Sequence, residues 1–349
     1  MKFDLEKLVR ENIKRLKPYS SARHEFKGNA SVFLDANENS YGSPLYENFN
    51  RYPDPLQWQL KFAITEIKGV PAENIFIGNG SDEVIDLAFR IFCEPGKDNV
   101  IVCPPTYGMY EVSANINNVE TKKVNLTEEF QLDVGGILHS INSDTRLIFI
   151  CSPNNPTGNN MRRSDVEMLL NNFNGLVIID EAYINFSRQG TFIQELKKYT
   201  NLLVMQTLSK AWGLASLRLG LAFASAEIID LFNKVKPPYN INKASQELAL
   251  EALQNVKQVN DWIEEIVEQR KFLTEHLMSF PFVNKIYDSD ANFLLVKFLD
   301  ANKFYDYLLA NGIVVRNRSK EINCENCLRI TIGTPEQNIQ LIETLKKYE

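Results

Sequence analysis

Leu176-Val177-Ile178-Ile179-Asp180-Glu181-Ala182-Tyr183 points most directly to the architecture of this chain. Four apolar residues in a row, with no polar alternation, describe a strand covered on both faces, as parallel strands are. The run ends on a carboxylate. Open α/β sheets take their ligands beyond the carboxyl ends of the strands, so Asp180 stands at a ligand position. Taken alone, an aspartate there equally caps the strand or the segment that follows.

The same rhythm extends outward. Apolar strand candidates centre on Ile75, Ile101, Ile148, Ile178, Val204 and Leu221, with helical patterns between them. That alternation predicts a mostly parallel sheet with helices on both faces. One helix is expected from about Lys243 to Ser279, after the Pro237-Pro238 break, as a spacer. From Phe282 on, the pattern reads strand, helix, strand, strand, helix, a small α+β unit. Residues 1–17 read as a single amphipathic helix that stops at Pro18. The expected division is a large domain over 28–245, with 1–27 and 246–349 forming an N-terminal arm plus a small C-terminal domain.

Thr207-Leu208-Ser209-Lys210 follows the strand around Val204, and Arg218 comes eight residues after the lysine. A lysine amine that has lost its proton attacks carbonyls. The flanking hydroxyls and the arginine are phosphate ligands in type. Together they describe a pocket for a molecule with an aldehyde at one end and a phosphate at the other, and pyridoxal 5′-phosphate is such a molecule. Its pyridine nitrogen needs a carboxylate to stay protonated, and Asp180 is placed to supply one. Two opposite charges about 4 Å apart at an effective dielectric of 20 interact by roughly 4 kcal/mol. Tyr183, three residues on, is placed to donate to the ring's phenolate oxygen.

Three further turns follow strands. Ser152-Pro153-Asn154-Asn155-Pro156-Thr157-Gly158 comes after Leu147-Ile148-Phe149-Ile150-Cys151. Its turn formers make a tight loop in any case, and Asn155 has an amide to offer the phenolate oxygen. Gly78-Asn79-Gly80-Ser81-Asp82-Glu83 lies between Asn74-Ile75-Phe76-Ile77 and a helix through Phe92. A glycine turn opening a helix presents free N–H groups to an anion; equally, Ser81 or Asp82 caps it. Pro104-Pro105-Thr106-Tyr107 follows Val100-Ile101-Val102, and Tyr107 either stacks on a pyridine ring or simply packs. Gly80, Tyr107, Asn155 and Asp180 thus follow four strands, and Lys210 a fifth.

Asn155-Pro156-Thr157-Gly158, Asp180-Glu181-Ala182-Tyr183 and Ser209-Lys210-x(7)-Arg218, in this order and spacing, resemble the pyridoxal-phosphate-dependent aminotransferases of the aspartate-aminotransferase fold. The resemblance implies a three-layer large domain and a small one, with Lys210 carrying the cofactor and moving the substrate's α-proton. It implies a phosphate cradle of Gly80, Ser81, Asp82, Thr207, Ser209 and Arg218. Tyr52, in Arg51-Tyr52-Pro53, resembles a tyrosine that reaches the cofactor phosphate of the neighbouring subunit, which implies a homodimer with shared sites. Arg329, in Leu328-Arg329-Ile330-Thr331-Ile332-Gly333, matches an arginine that binds the substrate's acid group.

Leu16-Lys17-Pro18-Tyr19, Leu34-Asp35-Ala36-Asn37-Glu38-Asn39, Lys236-Pro237-Pro238-Tyr239-Asn240-Ile241-Asn242 and Gly312-Ile313-Val314-Val315-Arg316 resemble a branch of that family acting on a phosphorylated amine. By that resemblance Tyr19 lines the substrate pocket, and Arg316 joins Arg329 on the phosphate. Guanidinium groups suit a phosphate because each offers several charge-assisted donors. The same pair would hold the carboxylates of glutamate and 2-oxoglutarate. Read alone, Tyr19 is a helix-end anchor, Arg316 a solvated strand end and Tyr52 a packed loop aromatic. A phospho-amino-acid decarboxylase and an aromatic amino-acid aminotransferase of the same fold remain open.

The 349 residues suffice for a large core, and the 44% hydrophobic fraction is ordinary. The net charge of −6 and the lack of a basic stripe argue against nucleic acid as the main partner without deciding it. No apolar run approaches the ~18–20 residues of a membrane span. Met1 to Arg10 is charged and lacks a signal-peptide core, so a cytoplasmic protein is expected. Five cysteines are then thiols. Cys324-Glu325-Asn326-Cys327 has metal or redox spacing but stands alone, and His24, His139 and His276 show no companion spacing, so no metal is expected.

Overall fold

A computed structural model describes residues 3–19, 30–45 and 48–348. The expected boundary at residue 27/28, His24, and the first two residues lie outside that set.

Seven strands form the large sheet: β1 (Ile75–Asn79), β2 (Asn99–Val102), β3 (Glu120–Lys123), β4 (Thr145–Cys151), β5 (Leu176–Asp180), β6 (Leu202–Thr207) and β7 (Leu219–Phe223), in the order β1-β7-β6-β5-β4-β2-β3. Strands β3, β2, β4, β5 and β6 pair in parallel, while β7 runs antiparallel to both of its neighbours. The apolar run of β5 shows why. Val177 and Ile179 belong to one buried cluster with Ile101, Ile148 and Val204. Leu176 and Ile178 belong to another with Val100, Phe149 and Met205. Successive side chains point to opposite faces, so a strand apolar at every position needs cover on both.

The reversal of β7 has a consequence for the site. Because it is antiparallel, its beginning lies at the same sheet edge where β1 and β6 end. Asn79 pairs with Leu219, and Gly80 N–H donates to Arg218 O at 2.7 Å. Residues far apart in sequence therefore meet at one edge.

All six strand centres expected from the sequence fall in strands of this sheet. The strand β3, with the sequence Glu-Thr-Lys-Lys, was not expected, because a charged edge strand carries no apolar signature. Three further expectations are corrected. The N-terminal segment is two short helices, Leu5–Leu8 and Glu11–Arg15, because Val9 is extended. That step buries Leu8, Val9 and Ile13 against the large-sheet core and lets Arg10 donate to Glu94 at 3.0 Å and to Arg90 O at 2.9 Å. The spacer is also two helices, Lys243–Leu253 and Val256–Met278. Asn255 breaks it, its side chain donating back to Glu251 O at 3.2 Å in competition with the helical backbone. The C-terminal unit begins with two strands where one was expected.

That unit is a four-stranded antiparallel sheet ordered β10-β11-β9-β8, from β8 (Val283–Ile286), β9 (Phe293–Phe298), β10 (Arg316–Asn317) and β11 (Cys327–Thr331). The helices Ala301–Ala310 and Pro335–Lys346 cover it. The long helix Val256–Met278 joins the two cores: Val259 packs with the large sheet, Leu273 and Leu277 with the small one. Among the described residues, no helix is long and apolar enough to cross a membrane.

Candidate active site

A cavity of about 340 Å³ opens where the carboxyl edge of the large sheet faces β10 and β11. Ser81, Asp82, Tyr107, Asn155, Asp180, Tyr183, Thr207, Ser209, Lys210 and Arg218 line it from the large sheet. Arg316, Arg318 and Arg329 line it from the small one.

Asp180 is the last residue of β5 and is 4% exposed. Its parity matches Ile178, so it faces the cluster that holds Tyr110 and Phe149. Tyr110 Oη donates to Asp180 Oδ2 at 2.6 Å, and Ala182 N–H donates to Oδ1 at 3.1 Å. Burial is the main influence on the acid and raises its pKa; the Tyr110 and Ala182 hydrogen bonds work the other way, and Lys210 adds a smaller lowering. A carboxyl destabilised by burial and short of a close cation is ready to accept one. Its neighbour Glu181 is structural: it accepts from Phe192 N–H at 2.7 Å and Gln206 Nε2 at 2.9 Å, tying β5 and β6 to the next loop.

Lys210 lies three residues beyond the end of β6, exposed to the cavity, with Nζ 5.7 Å from the centre of the Tyr183 ring. Its pKa is lowered, first by burial among these walls and then by the Arg329 charge, with Asp180 opposing. A lysine under those influences loses its proton more readily than one on a surface. Tyr183 is buried, and that burial pushes its phenol above the usual range.

The turn at Gly80 forms the opposite wall. Gly80 has φ +74°, and a Cβ there would stand 2.5 Å from Arg218 Nη2. Only glycine lets the guanidinium approach the start of the helix Ser81–Phe92 so closely. Among the described residues no side chain caps that helix, so Ser81 and Asp82 keep their N–H groups free, contrary to the capping alternative. Arg218 contacts Asp82 Oδ2 at 3.4 Å, and Asp82 Oδ1 accepts from Tyr107 at 3.1 Å. Behind the turn, Glu83 accepts from Asn79 N–H and from Asn240 Nδ2, the latter at 2.9 Å. Thr207 Oγ1 accepts from Ser209 N–H at 3.0 Å and fixes the hydroxyl turn before Lys210.

Asn155 connects the two domains. Its Oδ1 accepts from Arg329 Nη1 at 2.5 Å, which leaves its amide N–H groups for an acceptor in the cavity. Arg329 also lies over the Phe293 ring at 5.3 Å. The loop is braced by the neighbouring Asn154, which donates to Pro105 O and Thr157 Oγ1, both at 2.8 Å. Gly158, with φ +90°, meets the turn between β8 and β9: Asp290 N–H donates to Gly158 O at 2.7 Å.

Thirteen of the fifteen residues picked from the sequence converge here, counting Gly80 through its turn. Two do not. Tyr52 is 51% exposed and stacks on Tyr239 at 4.5 Å, in a separate groove with Glu38 and Lys243. Tyr19 is 75% exposed and lies in another groove beside Pro55 and Trp58, following an N-terminal segment whose Leu8, Val9 and Ile13 pack in the large-sheet core. Tyr19 is not part of the cavity in this chain. Sequence reasoning missed Tyr110, Cys151 and Arg318. Tyr110 sits in the first turn of the helix Met109–Ile116, three residues after Tyr107; that nearness was its only signal. Cys324 and Cys327 are buried free thiols held up to about 12 and about 11 by burial, which makes them poor nucleophiles.

A model of the family described as aminotransferase class I and II matches residues 36–345. The histidinol-phosphate aminotransferase of Cytophaga hutchinsonii is 54% identical over 348 residues, covering 100% of both chains. The chain belongs to this family, among its histidinol-phosphate aminotransferases. The solved histidinol-phosphate aminotransferase of Clostridium acetobutylicum superposes with a TM-score of 0.78 at 26% identity, over 86% of this chain and 91% of that one. That of Sinorhizobium meliloti, solved in complex with pyridoxal 5′-phosphate, has a TM-score of 0.77 at 21% identity over 90% of each chain. As an aminotransferase of this class, the chain uses pyridoxal 5′-phosphate. The residues present fit that group. Gly80 leaves a cradle beside Arg218, Asp180 lacks a close cation among the described residues, and the lysine amine opens on the cavity.

Proposed function

We propose that the protein moves the amino group of histidinol phosphate to 2-oxoglutarate, giving imidazole-acetol phosphate and glutamate in histidine biosynthesis. The observation that carries this reading is one cavity joining Lys210 and a buried Asp180 to three arginines on the facing domain. Its relatives' names support the same substrate.

When bound, pyridoxal 5′-phosphate supplies a ring that takes up the electron pair left at the substrate's α-carbon. The protein supplies the rest. Lys210 anchors the cofactor and then acts as the base that takes the α-proton and the acid that returns it. Proton transfer by a positioned group contributes typically about 10²–10⁴ in rate. Asp180 holds a proton at the ring nitrogen. Tyr183 and the free amide of Asn155 would hold the cofactor's phenolate oxygen, and Tyr107 would pack on its ring. The N–H groups of Gly80, Ser81 and Asp82, the hydroxyls of Thr207 and Ser209, and Arg218 hold the cofactor's phosphate. Arg329 and Arg316 take the substrate's distal acid group, whether a phosphate or the carboxylate of glutamate.

Tyr52 is exposed and away from this chain's own cavity, which suits a residue that serves the site of a second copy. We therefore read the enzyme as a cytoplasmic homodimer with shared sites. Assay of histidinol phosphate, threonine phosphate and phenylalanine side by side tests the substrate. Transfer to 2-oxoglutarate is expected to be fastest from histidinol phosphate. Release of carbon dioxide from threonine phosphate as the main reaction would replace this reading with that of a decarboxylase.

A further inference from the structure

Arg316 and Arg329 are direct cross-strand partners in the β10–β11 ladder. Arg318 follows two residues after Arg316 and continues the ladder, its N–H donating to Cys327 O at 2.9 Å. Residues two apart on a strand share a face, so three guanidinium groups lie on the same side of this sheet. Like charges placed opposite each other destabilise a sheet pair. Their mutual influence is visible in Arg329, whose pKa is lowered by burial first and then by Arg318, with Arg316 adding to it.

The compensation inside the protein is thin. Arg329 is bonded to the neutral Asn155. Arg316 has no carboxylate partner among the described residues. Arg318 has one counter-charge, Glu321, at a long 3.4 Å from Nη1, and its Nε is buried with no hydrogen-bond partner. Arg318 lines the Lys210 cavity and also a neighbouring space of about 340 Å³ that shares Tyr107 and Asn155 with it. An arginine with a buried, unsatisfied donor and a weak internal partner lacks an acceptor that a ligand can supply.

We propose that Arg318 is a third ligand of the substrate's phosphate, and that Glu321 is the counter-ion it gives up when the phosphate binds. This rests on the reading of the substrate as a phosphate monoester. A dianion with three terminal oxygens satisfies three guanidinium groups, whereas a single carboxylate satisfies fewer. Arg318 therefore sets the preference for a phosphate over a carboxylate at this end of the site.

The test uses the cofactor-loaded enzyme, so that the cofactor's own phosphate cradle is filled. Binding of inorganic phosphate is measured by calorimetry and by competition with histidinol phosphate. Arg318→Gln is expected to weaken inorganic phosphate about tenfold and to lower the kcat/KM ratio of histidinol phosphate to histidinol by a similar factor, mostly through KM, the scale of one hydrogen bond to a charged group. Arg318→Lys is expected to recover part of the loss. Glu321→Gln removes the competing carboxylate and is expected to tighten phosphate binding severalfold. Unchanged phosphate affinity in Arg318→Gln, or weaker binding in Glu321→Gln, overturns the assignment. If Arg318→Gln melts early, the Glu321→Gln result decides alone. Absence of any transfer from histidinol phosphate by the wild-type enzyme would instead overturn the proposed function and leave the phosphate measurement standing.

Discussion

Tyr110 Oη donates to Asp180 Oδ2 across 2.6 Å, and both residues are buried. The phenol also stacks on Phe149 with ring centres 4.8 Å apart, so its direction is fixed by packing. This hydrogen bond lowers the pKa of an acid that burial raises. A weaker base at that position leaves a shared proton more on the ring nitrogen and less on the carboxyl. With Asp180 in its proposed place at the ring nitrogen, Tyr110 would strengthen the electron sink without touching the substrate. In Tyr110→Phe the carboxyl becomes more basic, and single-turnover α-proton removal is expected to slow by about tenfold or more, since hydrogen bonds to charged groups are worth about 1.5–3 kcal/mol. An unchanged rate would show that Tyr110 only packs.

Asp180→Asn keeps the shape and removes the charge. Cofactor attachment at Lys210 is expected to survive, while α-proton removal falls more than tenfold if even half of the roughly 4 kcal/mol pairing is lost. Near-normal single-turnover deprotonation would make Asp180 a strand cap and nothing more.

Borohydride reduction of the loaded enzyme, followed by peptide mapping, is expected to place the label on Lys210. Lys210→Ala loses the label and about 10²–10⁴ in turnover. Burial and Arg329 lower the amine's pKa, so the neutral base is present at lower pH than for an ordinary lysine near 10.4. The rate of α-proton removal therefore rises with pH and levels off below that value. A label on another lysine would sink the assignment of the whole site.

Tyr52→Phe is expected to weaken cofactor retention, read from the rate of cofactor loss on dialysis. The protein is expected to sediment as a dimer at micromolar concentration. Mixing inactive Tyr52→Ala with Lys210→Ala protein restores partial activity if each site takes Tyr52 from the other copy. A fully active monomer contradicts the shared site.

Gly158 carries the docking of the small domain against the Asn154–Gly158 loop. A Cβ there would stand 2.5 Å from Ser289 Oγ, at φ +90°. Gly158→Ala is expected to cost about 1–3 kcal/mol, the scale of a strained backbone residue, and to lower the melting temperature. Because Asn155 lies on the same loop and bonds Arg329, affinity for 2-oxoglutarate is expected to fall with it. An unchanged melt would mean that the hairpin turn yields without cost.

Local residue patterns were enough to read the large sheet and the edge that carries the cavity. An apolar run such as Leu176–Ile179 is buried on both faces whatever surrounds it, and Asp180, Asn155, Gly80 and Lys210 follow their strands by chain order alone. The meeting of these groups at one cavity was legible for the same reason: each is fixed by its local turn. Edge strand β3 was not legible, because exposed strands need no apolar pattern. Nor were the breaks at Val9 and Asn255, where burial and a side-chain hydrogen bond override helical periodicity. Contacts across long separations in the chain came from packing alone. Tyr110 reaches Asp180 because a helix from one crossover lies over the end of β5, a contact between residues 70 apart. Arg329 reaches Asn155 across 174 residues, and Arg318 joins Arg316 and Arg329 through antiparallel pairing. Such contacts depend on domain docking and strand register, which local residue patterns do not encode.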